Sequence, residues 1–201
     1  MKKYLKWIIC LISLIIFVIL SILVLTKKDI YLDSFVYNFL SKYISDDLTN
    51  IVKNLTHLGS AFVVILITLL VLIFFKNKKY GIFMFINLIL ITMFQYALKF
   101  AFTRNRPLDI NLIEQGGYSF PSGHSLTAMA FYGFIIYLIY TSKLHKRSKY
   151  IYITLFSILI LIIGLSRIYL GVHFFTDVLG AFSFSLSFLI IYTHFIKERI
   201  R

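Results

Sequence analysis

The chain is poor in what keeps a protein in water. Charged residues make up only 14% of its 201 positions, acids number eight, and 60% of the residues are hydrophobic. So little polar surface cannot cover a water-soluble particle, and the long apolar runs place the chain among membrane proteins. A single cysteine, Cys10, lies inside the first apolar run. That excludes an internal disulfide, and Cys10 reads as a small packing or lipid-facing residue. No D-x-D run or cluster of carboxylates offers oxygen ligands to Mg²⁺, so nothing in the sequence points to a metal or cofactor. Internal repeats, low-complexity linkers and strand-like alternation are also missing. The length suits one compact bundle, so residues 1–201 are expected to form a single membrane domain.

What is present is a series of six apolar runs, at residues 7–25, 56–75, 80–98, 125–140, 150–170 and 174–196. Each is near the ~20 residues that cross the hydrocarbon. The fourth is short and should extend into its flanking loops. In lipid the backbone must satisfy itself, so the expected fold is all-α, an integral membrane six-helix bundle. Lys2, Lys3 and Lys6 precede the first run in the order of a signal peptide. That run is long enough to span, and residues 21–26 lack a small-x-small cleavage site, so it reads as a retained span.

The net charge of +13 reads as topology rather than affinity for nucleic acid. Lys2, Lys3, Lys6, Lys76, Lys78, Lys79, Lys143, Lys146, Arg147, Lys149, Lys197, Arg199 and Arg201 share one face with a single acid, Glu198. The opposite face carries eight basic residues and seven acids, so the first is expected to be cytoplasmic, with both termini. In the first outer loop, Leu32, Phe35, Val36, Phe39, Leu40 and Tyr43 recur at helical spacing, with Asp33, Ser34, Asn38, Ser41 and Lys42 between them. An amphipathic helix lying in the outer interface is expected there, and a shorter one at Leu48, Ile51, Val52 and Leu55. Such helices would wall a lipid entrance or cover the span ends.

Three polar clusters break the apolar text: Lys99, Arg104, Arg106 and Pro107; Pro121, Ser122, Gly123 and His124; and Ser166, Arg167, His173 and Asp177. Counting crossings puts all three on the outer face. Lys99 and Arg106 run from a helix end into a loop, so two cations can approach one anion from different directions. Ser122, Gly123 and His124 open a helix, where free N–H groups attract an anion and glycine permits close approach. His173 follows the Gly171 turn at another helix start. Asp177, four residues on, can hold one ring nitrogen and leave the other free to attack. Singly, each cluster reads as a snorkelling cation, a turn or a structural hydrogen bond. Together on one membrane face they are too costly to be filler.

These residues resemble the three-part signature of the type 2 phosphatidic acid phosphatase superfamily. Six residues separate Lys99 from Arg106-Pro107, then comes Pro121-Ser122-Gly123-His124, then Ser166-Arg167 with five residues between Arg167 and His173 and three between His173 and Asp177. The run Leu55-Thr56-His57-Leu58-Gly59-Ser60 is similar to the compact bacterial members, the phosphatidylglycerophosphatase B group. The resemblance implies a metal-free lipid phosphate phosphatase. His173 would attack phosphorus to give a phosphohistidine, and Asp177 would orient it. His124 would protonate the leaving alkoxide and then deprotonate water. Lys99, Arg106, Arg167, the Ser122 hydroxyl and the backbone around Gly123 would bind the phosphate.

The substrate stays open between phosphatidylglycerophosphate or phosphatidic acid and undecaprenyl diphosphate. Arg104 is placed to add a phosphate contact, and a glycerol linker would lie near Arg104, Glu114 and Gln115. A diphosphate calls for extra cations, and beyond Lys99, Arg106 and Arg167 the motif-bearing outer loops hold only Arg104, which favours the glycerol lipid; Lys27, Lys28, Lys42 or Lys53 folding over the pocket would favour a diphosphate. For Glu114 and Gln115 a solvated loop is the plainer expectation. His57, His145 and His194 read as structural or interfacial. A transporter or scaffold fits less well, because the ionisable residues sit at one edge rather than at mid-membrane.

Overall fold

The computed structural model describes residues 2–26, 30–107 and 111–200. Of the charges assigned above, Lys27, Lys28 and Arg201 lie outside the described residues, as do the side chains of Lys2 and Lys3. Among the described residues every regular element is helical: α1 (Lys2–Leu25), α2 (Tyr31–Ser41), α3 (Asp46–Thr56), a 3₁₀ turn (His57–Gly59), α4 (Ala61–Phe74), α5 (Lys79–Phe102), α6 (Gly123–Thr141), α7 (Lys146–Tyr169) and α8 (Phe175–Ile200). α1, α5, α6, α7 and α8 are each long and apolar enough to cross a membrane. The short fourth run extends at both ends, as its loops suggested.

The second run departs from expectation. Residues 56–75 do not form one straight span: α4 begins only at Ala61, and the helix before it meets it at 50°. Ser60 takes an extended conformation and its side chain accepts from the Val63 N–H at 3.4 Å, capping the new helix. The break is also a packing point. A Cβ added at Gly59 would come within 2.7 Å of Ile163 and 3.4 Å of the His124 carbonyl, so the chain crosses there at close quarters.

α6 is the central pillar, packed along α7 and α8, while α1 lies along α8. Phe131, Phe134 and Ile163 are fully buried between them. Both described ends of the chain meet at one end of the bundle, where Lys6 Nζ stands 3.2 Å from His194 Nδ1 and Trp7 packs edge-on against the same ring. The opposite end gathers the last turns of α5 and α7 and the first turns of α6 and α8, which carry the three polar clusters.

Both segments expected to be helical between α1 and α4 are so. Leu32, Phe35 and Phe39 are exposed, and the buried residue is Asp33. α2 packs on α7 and α8, and α3 on α7, where Thr49 Oγ1 lies 3.0 Å from the Tyr169 hydroxyl.

Candidate active site

α5 ends where Thr103 adopts a left-handed backbone (φ 44°), an uncommon conformation for a β-branched residue. That turn leaves Lys99 on the helix and sends Arg104 and Arg106 back across the bundle end. Lys99 Nζ donates to the Tyr118 carbonyl. Arg106 donates to the carbonyls of Gly117 at 2.9 Å and Val172 at 2.7 Å, and its Nη1 lies 3.1 Å from His173 Nε2. α6 opens at Gly123 with Ser122 as its cap residue, and the Ser122 N–H donates to the Asp177 carbonyl at 3.1 Å.

Gly171, at φ 69°, makes the turn from α7 that delivers His173 just before α8. His173 Nδ1 stands 3.4 Å from Asp177 Oδ2, within reach but not aligned as a formed hydrogen bond. The tautomer follows from the donors. A guanidinium has no acceptor, so the nitrogen facing Arg106 must present its lone pair and the ring proton must sit on Nδ1, towards Asp177. Burial lowers the His173 pKa to about 4; Asp177 opposes this, while Arg106 and Arg167 add to it. At neutral pH the ring is therefore uncharged, with a free electron pair on Nε2.

Asp177 is fully buried and heavily held. Its Oδ2 accepts from the Ser119 hydroxyl at 2.6 Å and the Phe174 N–H at 2.8 Å, and its Oδ1 accepts from Arg104 at 2.6 Å. Here Arg104 departs from expectation. Its guanidinium bridges two buried carboxylates, Asp177 and Asp33, the latter at 2.8 Å, and stacks on Phe174 at 4.0 Å. Held by two carboxylates, Arg104 is not free to make the phosphate contact expected of it. Asp33 also accepts from the backbone N–H and hydroxyl of Thr176, at 2.8 and 2.9 Å.

Arg167 is 1% exposed. It donates to Thr56 Oγ1 and Gln115 Oε1, each at 2.9 Å, and its Nε has no partner among the described residues. Gln115 is thus tied to the site rather than merely solvated, while Glu114 is exposed. His57 is exposed on its 3₁₀ turn; His145 caps α7, its Nδ1 accepting from Arg147 N, and His194 packs on Trp7, at the far end.

Lys99, Arg106, Gly123, His124 and His173 line one cavity of about 610 Å³, with Ser122, Arg167 and Asp177 buried around it. The cavity continues between α4 and α5, past Gln95, Thr92 and Thr127 to Leu88, Ile89 and Phe85. The Gln95 amide lies over Gly123, where an added Cβ would meet its Nε2 at 2.9 Å. The arrangement offers a neutral nucleophilic nitrogen, three cations and a helix start around one space, continuous with an apolar groove. Among the described residues no three His, Cys, Asp or Glu side chains converge as metal ligands would. Sequence reasoning missed Asp33, Ser119, Thr176, Thr56 and Gln95. Only Asp33 gave a signal, as a lone acid in an apolar segment of a chain with eight acids.

Comparison with known proteins agrees with this geometry. The family model described as PAP2 superfamily matches residues 79–201. Phosphatidylglycerophosphatase B of Bacillus subtilis is 35% identical over 144 residues, 69% of this chain and 70% of its own. An undecaprenyl-diphosphatase of Sulfolobus acidocaldarius is 28% identical over 186 residues, 90% of this chain and 85% of its own. The crystal structure of a transmembrane PAP2-type phosphatidylglycerolphosphate phosphatase from Bacillus subtilis superposes with a TM-score of 0.83 at 25% identity, covering 96% of this chain and 97% of that one. That of Aquifex aeolicus LpxE, at 22% identity and a TM-score of 0.69 over 83% of this chain and 97% of its own, shares the fold.

Proposed function

We propose, from the premise that the chain belongs to the PAP2 superfamily, that this multi-pass membrane protein is a lipid phosphate phosphatase working through a phosphohistidine. The observation that carries the mechanism is the pairing at His173: Arg106 against Nε2 and Asp177 behind Nδ1. In the first step the Nε2 lone pair attacks phosphorus and the bond from phosphorus to the lipid oxygen breaks. His124 gives its proton to the departing oxygen. In the second step His124 takes a proton from water, the hydroxide attacks phosphorus, and the P–N bond breaks to release phosphate and His173.

Lys99, Arg106 and Arg167 neutralise the phosphoryl oxygens, joined by the Ser122 hydroxyl and the free N–H groups at the start of α6. Charge stabilisation then comes from side chains and backbone, and the reaction needs no metal. The unpartnered Arg167 Nε supports this reading, since a buried donor without a partner is costly unless an anion completes it. The chain acts as a single domain, its active face extracytoplasmic and both termini cytoplasmic, a reading that rests on the lysine and arginine count. α2 and α3, packed on α7 and α8, lie at the same interface.

The groove favours a glycerophospholipid monoester. Gln95 and Thr92 stand about 6 and 10 Å along α5 from Lys99 by helix rise, and Thr127 one turn beyond His124. A polar linker would meet those groups before the acyl chains reach Leu88 and Phe85; an isoprenyl chain would put hydrocarbon against them. The second reading, hydrolysis of undecaprenyl diphosphate, has its support in the relative matched over 90% of this chain. Phosphate release from matched micelles of phosphatidylglycerophosphate, phosphatidic acid and undecaprenyl diphosphate decides between them. A kcat/KM tenfold higher for the diphosphate, about 1.4 kcal/mol, would replace the first reading. His173→Ala should lose roughly 10⁴–10⁶-fold in rate, and acid-labile label from ³²P substrate should stay on the parent protein; its absence under rapid quench would refute the covalent step.

A further inference from the structure

The bundle end remote from the catalytic residues holds a second cavity, of about 980 Å³. Lys143, Lys146, Lys149 and Lys197 line it, and among the described residues no carboxylate does. Lys197 lies 3.5 Å from Glu198, an exposed pair of small consequence, and Lys149 donates to the Tyr140 carbonyl at 2.8 Å. Lys143 and Lys146 have no ion pair among the described residues. Membrane topology asks only that cations lie on one side; it does not ask that they surround one hollow. Gathered like charges repel, and an anion between them relieves that repulsion.

The rest of the wall says how the anion arrives. Tyr80 from α5 and Tyr150 from α7 add phenol rings, whose amphipathic character suits the headgroup level of a bilayer. Leu138, Ile153 and Ile200, from three different helices, add an apolar lining continuous with the spans. A free anion gains nothing from that lining, whereas the glycerol and first methylenes of a lipid do.

The geometry points to a binding site for an anionic phospholipid headgroup in the leaflet opposite the catalytic centre, its phosphate held by Lys143, Lys146 and Lys149. It is separate from the catalytic cavity and does not depend on which lipid is hydrolysed. The test uses the purified full chain in neutral detergent, with phosphatidylglycerol, a diester, as probe. Native mass spectrometry should retain phosphatidylglycerol in preference to phosphatidylcholine of the same chains, and the anionic lipid alone should raise Tm. The triple variant Lys143→Gln, Lys146→Gln, Lys149→Gln should bind it roughly tenfold or more weakly, while Lys→Arg at all three positions keeps it. Turnover of a short-chain soluble phosphate ester by the Gln variant should equal the parent's. If the triple variant fails to fold, Lys146→Gln is compared with Lys146→Arg. Equal retention of the two lipids, or unchanged binding by the Gln variants, overturns the site. Displacement of the lipid by millimolar inorganic phosphate, with the same rise in Tm, overturns its assignment to a lipid.

Discussion

Replacing Asp33 by asparagine alters a group that the structure keeps away from the phosphate cavity, yet it should slow the reaction. Asp33 Oδ1 accepts from the Thr176 N–H at 2.8 Å, and Oδ2 accepts from Arg104 Nη2 at 2.8 Å and from the Thr176 hydroxyl at 2.9 Å. An amide has one oxygen, so either it faces Thr176 N–H and sets its NH₂ against the guanidinium, or it does the reverse. One charge-assisted bond is lost in each case, about 1.5–3 kcal/mol. The same guanidinium holds Asp177 Oδ1 at 2.6 Å, so its displacement passes to the carboxylate behind His173. If most of that energy enters the barrier, kcat falls roughly 10–100-fold. KM for a soluble short-chain phosphatidic acid should stay within about twofold, since Asp33 touches no bound group. Arg104→Lys should give the same pattern, because one ammonium cannot fork between two carboxylates. The assay is steady-state phosphate release in detergent, with Tm to show that the variants are folded. A folded Asp33→Asn protein with parental kcat would refute the reasoning. A raised KM with unchanged kcat for Arg104→Lys would return Arg104 to the substrate.

Three further outcomes are expected. With the His173 pKa near 4, activity should hold through pH 6.5 and fall only towards about 4. Below the ordinary histidine pKa of 6.5 the unfolded chain binds a proton before the folded one, so the stability His173 contributes is present above 6.5 and is lost as pH falls towards 4. Arg106→Gln removes a positive charge from beside the ring, so the acid limb of its kcat profile should move to higher pH; a parental limb already at 6.5 would contradict this. Gly123→Ala should leave Tm nearly unchanged, since the atoms it meets belong to the movable Gln95 amide. Its activity should fall, and fall less in a Gln95→Ala background; equal losses in both would refute the Gln95 contact. A cysteine replacing Glu114 in a Cys10→Ser chain should react with an impermeant reagent on intact cells and one replacing His145 should not, the reverse pattern inverting the proposed orientation.

What the sequence made legible was whatever is written in periodicity and spacing. Apolar runs mark α1 and α5 to α8 because lipid contact demands them over a whole helix. The eight expected site residues meet at one bundle end because their spacings count turns and crossings. The second run was carried back to Thr56, although Thr56–Ser60 holds one large apolar residue, Leu58, and the break there is marked by close approach to Ile163 and His124, far along the chain. Asp33 was placed with the polar side chains because helical periodicity separates two faces without saying which of them meets protein. Arg104 was sent to the phosphate because a cation beside Arg106 carries no mark of the two carboxylates that claim it.

The shortness of α4 has a consequence for the bilayer itself. Its 14 residues rise only about 21 Å, against a hydrocarbon core of about 30 Å. The rest of the crossing falls to the preceding segment, Asp46–Gly59, which meets α4 at 50° and carries Asp46, Asp47 and Lys53. A leaflet fitted to α4 alone would be thinned beside it, or the head of α4 would sink beneath the surface, with Gly59 packed against His124 at that same level. A lipid gliding sideways into the α4–α5 groove would bring its phosphate down this depression without being lifted from its leaflet. Thicker membranes would deepen the mismatch at a cost of fractions of a kcal/mol per ångström, so acyl-chain length would tune how readily the two histidines are reached.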